Sequence, residues 1–381
     1  MKKNILSGLT WLAFVCIPHV GTFAQDQIVI PHLPRDTNNF KVDLVLENHL
    51  DQTRYLAIEG FGTAGNGLGV VAVEVPPNKR VLLDPKNYFK DESAVWLIIT
   101  GRAIGEEALS QDTMTGLVAG VSLELAGNPD SATFVEGIRQ PARKWRIHTG
   151  NWQETFDGLA IVNTDRCAGT SVRLYHHSAE GSLLKMVDIS PTRGGFHKLL
   201  VNLSGVLDPV PGSYVDIEAD VSMAITGLRG SLNLDAANSY LVGNLAMAFP
   251  NFEKERRILE ENRDKWRKAG VGGSYIFDLH FLCFCTENLG RDVSLRVMDG
   301  WIESYDYADQ NGEVPIDSRS MYRTVDGLFD LIEKAMDDEY FGVVVTYDEQ
   351  FGYPLDISLD NNSCTVDEEL VLRASNLVPI K

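Results

Sequence analysis

The stretch Tyr275-Ile-Phe-Asp-Leu-His-Phe-Leu-Cys-Phe-Cys285 decides the fold of the last third of the chain. Along a strand, successive side chains point to opposite faces. Tyr275, Phe277, Leu279, Phe281, Cys283 and Cys285 therefore share one face. Asp278 and His280 lie on the other, with Ile276, Leu282 and Phe284. The first set is an aromatic and aliphatic stripe that fits a core, and both cysteines continue it. They are expected as buried scaffold before working thiols.

The segments around this strand fit a mixed unit. Phe252–Lys268 has a helical pattern, with Asn251 as cap and Phe252, Leu259 and Trp266 repeating every seven residues as its buried stripe. Gly270, Gly272 and Gly273 stop it. Strands are expected at 275–285, 292–298 and 301–307. A second helix over Thr324–Met336 turns Val325, Leu328, Phe329 and Ile332 inward. Gly342–Tyr347, Leu355–Leu359 and Glu369–Arg373 complete an antiparallel α+β unit over residues 251–381.

Upstream the texture is all β. Short strands punctuated by turns run from Phe40 to about Val121, the spacing of a β-sandwich. The order then recurs. Leu159–Asn163 answers Val45–Asn48, Ile189–Pro191 answers Val75–Pro77, Ser213–Ile217 answers Ala94–Ile98, and Thr226–Gly230 answers Thr115–Gly120. Asn48 to Asn163, Pro77 to Pro191 and Gly116 to Gly227 are spacings of 115, 114 and 111 residues. Two tandem sandwich modules are expected, at 40–145 and 146–250, after an extended lead-in at 25–39.

The N-terminus has the pattern of a secretory signal over residues 1–24: Met1-Lys-Lys, an apolar run from Ile5 to Val20, and a small-residue site that places cleavage between Ala24 and Gln25. Cys16 as a lipid acceptor is the alternative, although Ala13-Phe-Val15 lacks the small residue usual before such a cysteine. No later stretch is long and apolar enough for a span. The net charge of −19 would become −21 on loss of Lys2 and Lys3 with the leader. Such a surface repels nucleic acid and anionic lipid. In an oxidising compartment Cys167, Cys283, Cys285 and Cys364 could form disulfides. Alpha carbons two apart on a strand are about 6.6 Å apart, near the limit for a bond. A Cys283–Cys285 bridge would need a bulge, and a bond from either to Cys364 is easier. Cys167, in a turn, has no evident partner.

Motifs with chemical promise carry blander readings. Gly60-Phe-Gly-Thr-Ala-Gly65 fits a dinucleotide fingerprint, but a strand and not a helix follows, so a hairpin loop is expected. The Cys-x-Cys could be a redox pair or half a metal site with His280 or Cys364. The aromatic and acidic surroundings favour a structural disulfide. Asp306–Glu313 hints at a calcium loop, yet in EF-hand register Tyr307 and Ser318 take the first and twelfth positions. A turn rich in Asp, Asn and Gly needs no ion. Asp356, Asp360, Asp367, Glu368 and Glu369 read as a solvated face. Of His176 and His177, at most one can face a partner. No catalytic residue and no cofactor is indicated.

Residues 157–248, and more loosely 40–125, resemble modules of bacterial exported proteins with the pattern G-[IL]-A-[IV]-x-N … L-x-P … G-x-[VI]-x-I … [IT]-x-G-L-x-G. The likeness implies an immunoglobulin-like sandwich and no catalytic residue. Residues 252–381 resemble an uncharacterised domain family of bacterial exported proteins, through Tyr-x-Phe and Cys-Phe-Cys, Val297-Met-Asp-Gly300, Thr324–Ile332 and Tyr347–Pro354. Together these imply a secreted or periplasmic, non-catalytic binding protein whose partner is a protein or a polysaccharide. The alternatives are an extracellular hydrolase with accessory sandwiches and an inhibitor-like module.

Overall fold

A computed structural model describes residues 27–34, 40–89, 94–101, 114–125, 128–189, 195–232, 240–271, 273–282, 290–309, 312–361 and 369–380. It is mostly β, made of antiparallel sheets, with two α-helices among the described residues. The strands of the first part are β1 Gln27–Ile30, β2 Phe40–Asn48, β3 Arg54–Phe61, β4 Gly67–Val75, β5 Lys79–Leu83, β6 Trp96–Gly101, β7 Leu117–Leu125 and β8 Asn128–Glu136. They form two sheets, β1-β6-β3-β4 and β5-β2-β7-β8. Both feed one core: Ile58, Leu97 and Ile99 come from the first, Leu44, Leu46 and Val121 from the second.

Within the extended lead-in expected over 25–39, residues 27–30 form β1 and join the first sheet. Gln27 pairs with Thr100 and Ile30 with Leu97. The physical reason is that Ile28-Val29-Ile30 is apolar on both faces. Ile28 and Ile30 enter this core, while Val29 enters a separate cluster on the outside of the sheet.

The same pairing plan recurs in β9 Ala142–His148, β10 Thr155–Asn163, β11 Val172–His177, β12 Leu183–Asp188, β13 Lys198–Asn202, β14 Tyr214–Ser231, β15 Leu241–Val242 and β16 Ala246–Phe249. The long β14 serves two layers. Its first half lies between β9 and β11, and its second half between β10 and β15, with an irregularity between Glu218 and Met223. Its Val215, Ile217, Met223 and Ile225 all point into one core. A boundary at 145/146 runs through β9, whose residues pair with β14 and β16 from Ala142 onward.

Register refines the repeat. Asn48 and Asn163 both end nine-residue strands and are buried. Asn48 Oδ1 accepts from Leu50 N, and Asn163 Oδ1 from Asp165 N. Two of the other blocks slip, and Ile189–Pro191 runs outside the described residues. Ile58 pairs with Ile99 and Leu174 with Ile217, so Ile217 matches Ile99, not Ile98. Leu44 pairs with Val121 and Leu159 with Gly227, so Gly227 matches Val121, not Gly116. A one-residue slip exchanges the two faces of a strand, and letter similarity alone does not register that.

The last part comprises α1 Glu253–Lys268, β17 Ser274–Leu282, β18 Val293–Met298, β19 Trp301–Tyr307, α2 Val325–Asp337, β20 Gly342–Tyr347, β21 Pro354–Asp360 and β22 Leu370–Pro379. Its sheet runs β19-β18-β17-β22-β21-β20. Tyr275, Phe277, Leu279 and Phe281 are buried against Leu259, Trp266, Leu328 and Phe329, as the alternation predicts. Thr324 caps α2 by accepting from Gly327 N. Asn251 does not cap α1. Phe252 holds that position at φ 59°, and Asn251 instead bonds Arg143 N, Pro141 O and Ser222 Oγ. It ties the helix start to the preceding sheet.

Candidate interaction face

The outer face of the β9, β14, β11, β12 layer holds the most developed side-chain constellation. Two amphipathic strands of opposite charge build it. Lys144, Arg146 and His148 alternate with buried Trp145 and Ile147; Tyr214, Asp216 and Glu218 alternate with buried Val215 and Ile217. Register pairs His148 with Tyr214, Arg146 with Asp216 and Lys144 with Glu218, so each of the three meets an acid or an aromatic ring.

Arg146 grips Asp216 with two bonds, Nε to Oδ1 at 2.6 Å and Nη2 to Oδ2 at 2.9 Å. Bidentate pairing of this kind is directional and strong, and it raises the Arg146 pKa above its usual value. The guanidinium lies 4.1 Å from the Tyr214 ring centroid and 5.3 Å from that of Phe249. His177 stacks on Tyr214 at 4.9 Å and 12°. The result is a rigid His177–Tyr214–Arg146 ladder across three strands. At its margins Met186, opposite Tyr175, is 56% exposed, and Met247, opposite Arg146, is 48% exposed.

His176 points the other way. It is buried, with Nε2 2.8 Å from Ser213 Oγ, which lies 2.7 Å from Thr149 Oγ1. Burial lowers its pKa. The pair has the spacing of a hydroxyl and its base, but both residues are sealed from substrate. Of the two histidines, only His177 reaches the surface.

Several expected features fall elsewhere. Ala24, Gln25, Cys16, Cys283, Cys285 and Cys364 lie outside the described residues. Cys167 is the only cysteine among the described residues, and it is disulfide-bonded, to a partner the sequence left open. The Gly60–Gly65 segment is the end of β3 and the hairpin loop that leads into β4. Gly65, at φ 81°, sits where a Cβ would be 2.6 Å from Phe196 O. Its glycines serve close packing. In the turn after β19, Asp309 is ion-paired with Arg291 at 2.5 Å. Among the described residues no group of three His, Cys, Asp or Glu could hold a metal, and no helix is long and apolar enough to cross a membrane.

Sequence reasoning missed Tyr214, Arg146 and Asp216. The signal was present as the alternation Lys-x-Arg-x-His against Tyr-x-Asp-x-Glu, but the strands lie far apart in the chain and only register joins them.

Residues 258–379 match the family model of DUF6174, a family of unknown function. The match runs from within α1 to the end of β22 and agrees with the expectation of an uncharacterised domain there. No curated protein matches the chain.

Proposed function

We propose that the protein is an exported, non-catalytic interaction protein of the bacterial envelope or extracellular space. In this reading two immunoglobulin-like sandwich modules precede an α+β domain, and the Tyr214 face docks a partner protein. The composition of that face carries the reading. Tyr, Arg and Met are enriched where protein interfaces hold their energy, and hot spots cluster on rigid anchors inside a less critical rim. Tyr214 and Arg146 are pre-ordered by their stack and ion pair, so little side-chain freedom remains to be lost on docking. Met186 and Met247 are adaptable side chains at the margin.

The test is photo-crosslinking from position 186 in the cells that make the protein. A discrete adduct is expected, and Tyr214→Ala should abolish it while the variant stays folded. No adduct, or an adduct indifferent to Tyr214, overturns the reading. The hydrolase alternative would need acidic or histidine side chains gathered at catalytic distances in the α+β domain. There Arg373 is instead ion-paired with Asp356, and His280 Nδ1 lies 2.8 Å from Asp292.

A further inference from the structure

The six-stranded sheet closes one of its edges and leaves the other open. At β19, Val314 N donates to Tyr305 O and Tyr307 N donates to Gly312 O, so the segment 312–314 covers that edge. At the other end β20 pairs with β21, and among the described residues no second strand reaches residues 342–346. The bonds from Arg143 stop at Tyr340 O and Phe341 O, before the strand begins. An edge strand presents a row of unpaired N–H and C=O groups, which is a template for another strand.

Among the described residues, every other strand of five or more residues that ends a sheet carries a charged residue. Glu74 on β4, Arg80 on β5, Glu136 on β8, Lys185 on β12, Lys198 on β13 and Glu303 on β19 are examples. Charge is a common guard against pairing at an edge. β20 has none. It reads Gly342-Val-Val-Val-Thr-Tyr347, and β-branched residues of this kind favour strands. Val344, at the centre, is 66% exposed, while Val343 and Val345 face the core under α2.

We propose that the occupant of this edge is a second copy of the same chain, joined strand to strand in a two-fold dimer. An isologous contact demands a patch that matches itself, and β20 is nearly palindromic about Val344. Antiparallel pairing centred there sets Val344 against its own copy, Val343 against Val345, and Gly342 against Thr346. Opposed residues share a face in such a ladder, so valine meets valine on both faces and no charge opposes a like one. That selects the contact on a chain of net charge −19, whose copies repel one another elsewhere. Acids flank the strand without entering the ladder. Glu339 and Asp348 lie in the turns at its two ends, and Asp348 Oδ1 accepts from Gln350 N and Phe351 N. On β21, Asp356 is paired with Arg373 at 2.7 Å, and Asp360 lies beside Gly342. The pairing leaves Asp360 three strand spacings, about 14 Å, from Asp356 of the copy, beyond a Debye length at physiological salt. Five paired residues make a contact at the small end of the interface range, so the dimer is a weak one. The inference does not depend on the Tyr214 face.

The test is sedimentation velocity of the purified full chain over a wide concentration range, at low and high salt. A monomer–dimer shift is expected, and salt should strengthen it by screening the flanking acids. Hydrogen exchange at low and high protein concentration locates the contact. Amides of 342–346 should gain protection in the dimer, and those of 183–188, on the charged edge β12, should not. Val344→Lys faces two ammonium groups across the axis and should weaken association roughly tenfold, whereas Val344→Ile should retain it. Val344 is exposed, so both variants should melt with the wild type. A chain that stays monomeric at every concentration, a dimer that Val344→Lys leaves intact or that salt dissolves, or protection only outside 342–346 overturns the proposal. Protection of 342–346 only on addition of other proteins assigns the edge to a foreign strand and overturns it too. None of these results bears on the crosslink from position 186.

Discussion

Asp157 is fully buried and accepts from four donors: Gly150 N at 2.7 Å, Trp152 Nε1 at 2.8 Å, and Arg229 Nε and Nη2 at 2.6 and 3.1 Å. Removing one partner of a buried ion pair leaves the other uncompensated. Asp157→Ala should therefore cost about 3 kcal/mol, the low end of the buried range because Arg229 is partly solvated. Urea denaturation measures it, and a loss below about 1 kcal/mol would show that water replaces the carboxylate. His32 makes a pH prediction. Lys198 Nζ lies 2.9 Å from its Nδ1 and donates to Val95 O at 2.5 Å. Burial first, and Lys198 second, lower the His32 pKa to about 3. The unfolded chain takes up that proton near pH 6.5 and the folded chain only near 3. Between those values the unfolded state binds more protons, so stability falls as pH drops, by at most ~1.4 kcal/mol per pH unit from this group. The wild-type urea midpoint should decline from pH 6.5 to 5, above most carboxylate titration, and His32→Asn should flatten that decline. Neither residue stands out in the sequence. Asp157 and Arg229 are far apart along the chain, and burial of His32 depends on a strand of the other sheet pair.

At the scale of elements, legibility follows the range of the interaction. The buried stripe of β17 was readable because alternation is local, and so were the inward residues of α2. The Gly60–Gly65 loop was readable because the strand after it excludes a phosphate-binding helix. What the loop packs against was not. Gly65 meets Phe196 and Gly195 of the following sheet pair, and Lys198 N donates to Thr63 O. Gly65→Ala would place a side chain at positive φ, costing roughly 1–2 kcal/mol, and would push the hairpin off Phe196. The expected result is a lower melting temperature together with faster proteolysis in the 62–66 loop. The same substitution at Gly69, where a Cβ has open space, should lack the clash. The outward ladder on β9, β11 and β14 was illegible for a related reason. His177 could be assigned to a surface from β11 alone, but its stacking on Tyr214 is a fact about the register of two strands. Likewise Asn48 and Asn163 were matched correctly because each makes its turn within five residues, whereas blocks defined by cross-strand partners slipped.

The whole molecule is held by contacts between its cores as well as within them. Val29, Phe61, Trp96 and Ile98 of the first sheet pair meet Val162 and Ala224 of the second in a separate apolar cluster. Phe61 and Trp96 stack there at 4.1 Å and 13°. On the far side, Arg143 reaches from β9 to the carbonyls of Tyr340 and Phe341, and its guanidinium lies 5.1 Å from the Phe252 ring. Partial burial lowers the Arg143 pKa and raises that of Glu339 nearby, although Arg143 is only half-buried and Glu339 is exposed. Carbonyl bonds to a half-buried guanidinium are costly to leave unmade, and lysine cannot copy the fork. These junctions should make unfolding cooperative across the α+β unit and the layer beside it. Arg143→Ala should split a single thermal transition into two, with the α+β unit melting as a separate step. Calorimetry of the wild type and the variant decides it. Two transitions already present in the wild type would mean that the junction does not couple the units, and a single one retained by Arg143→Ala would mean that Phe341 packing and the Asn251 bonds couple them without the guanidinium.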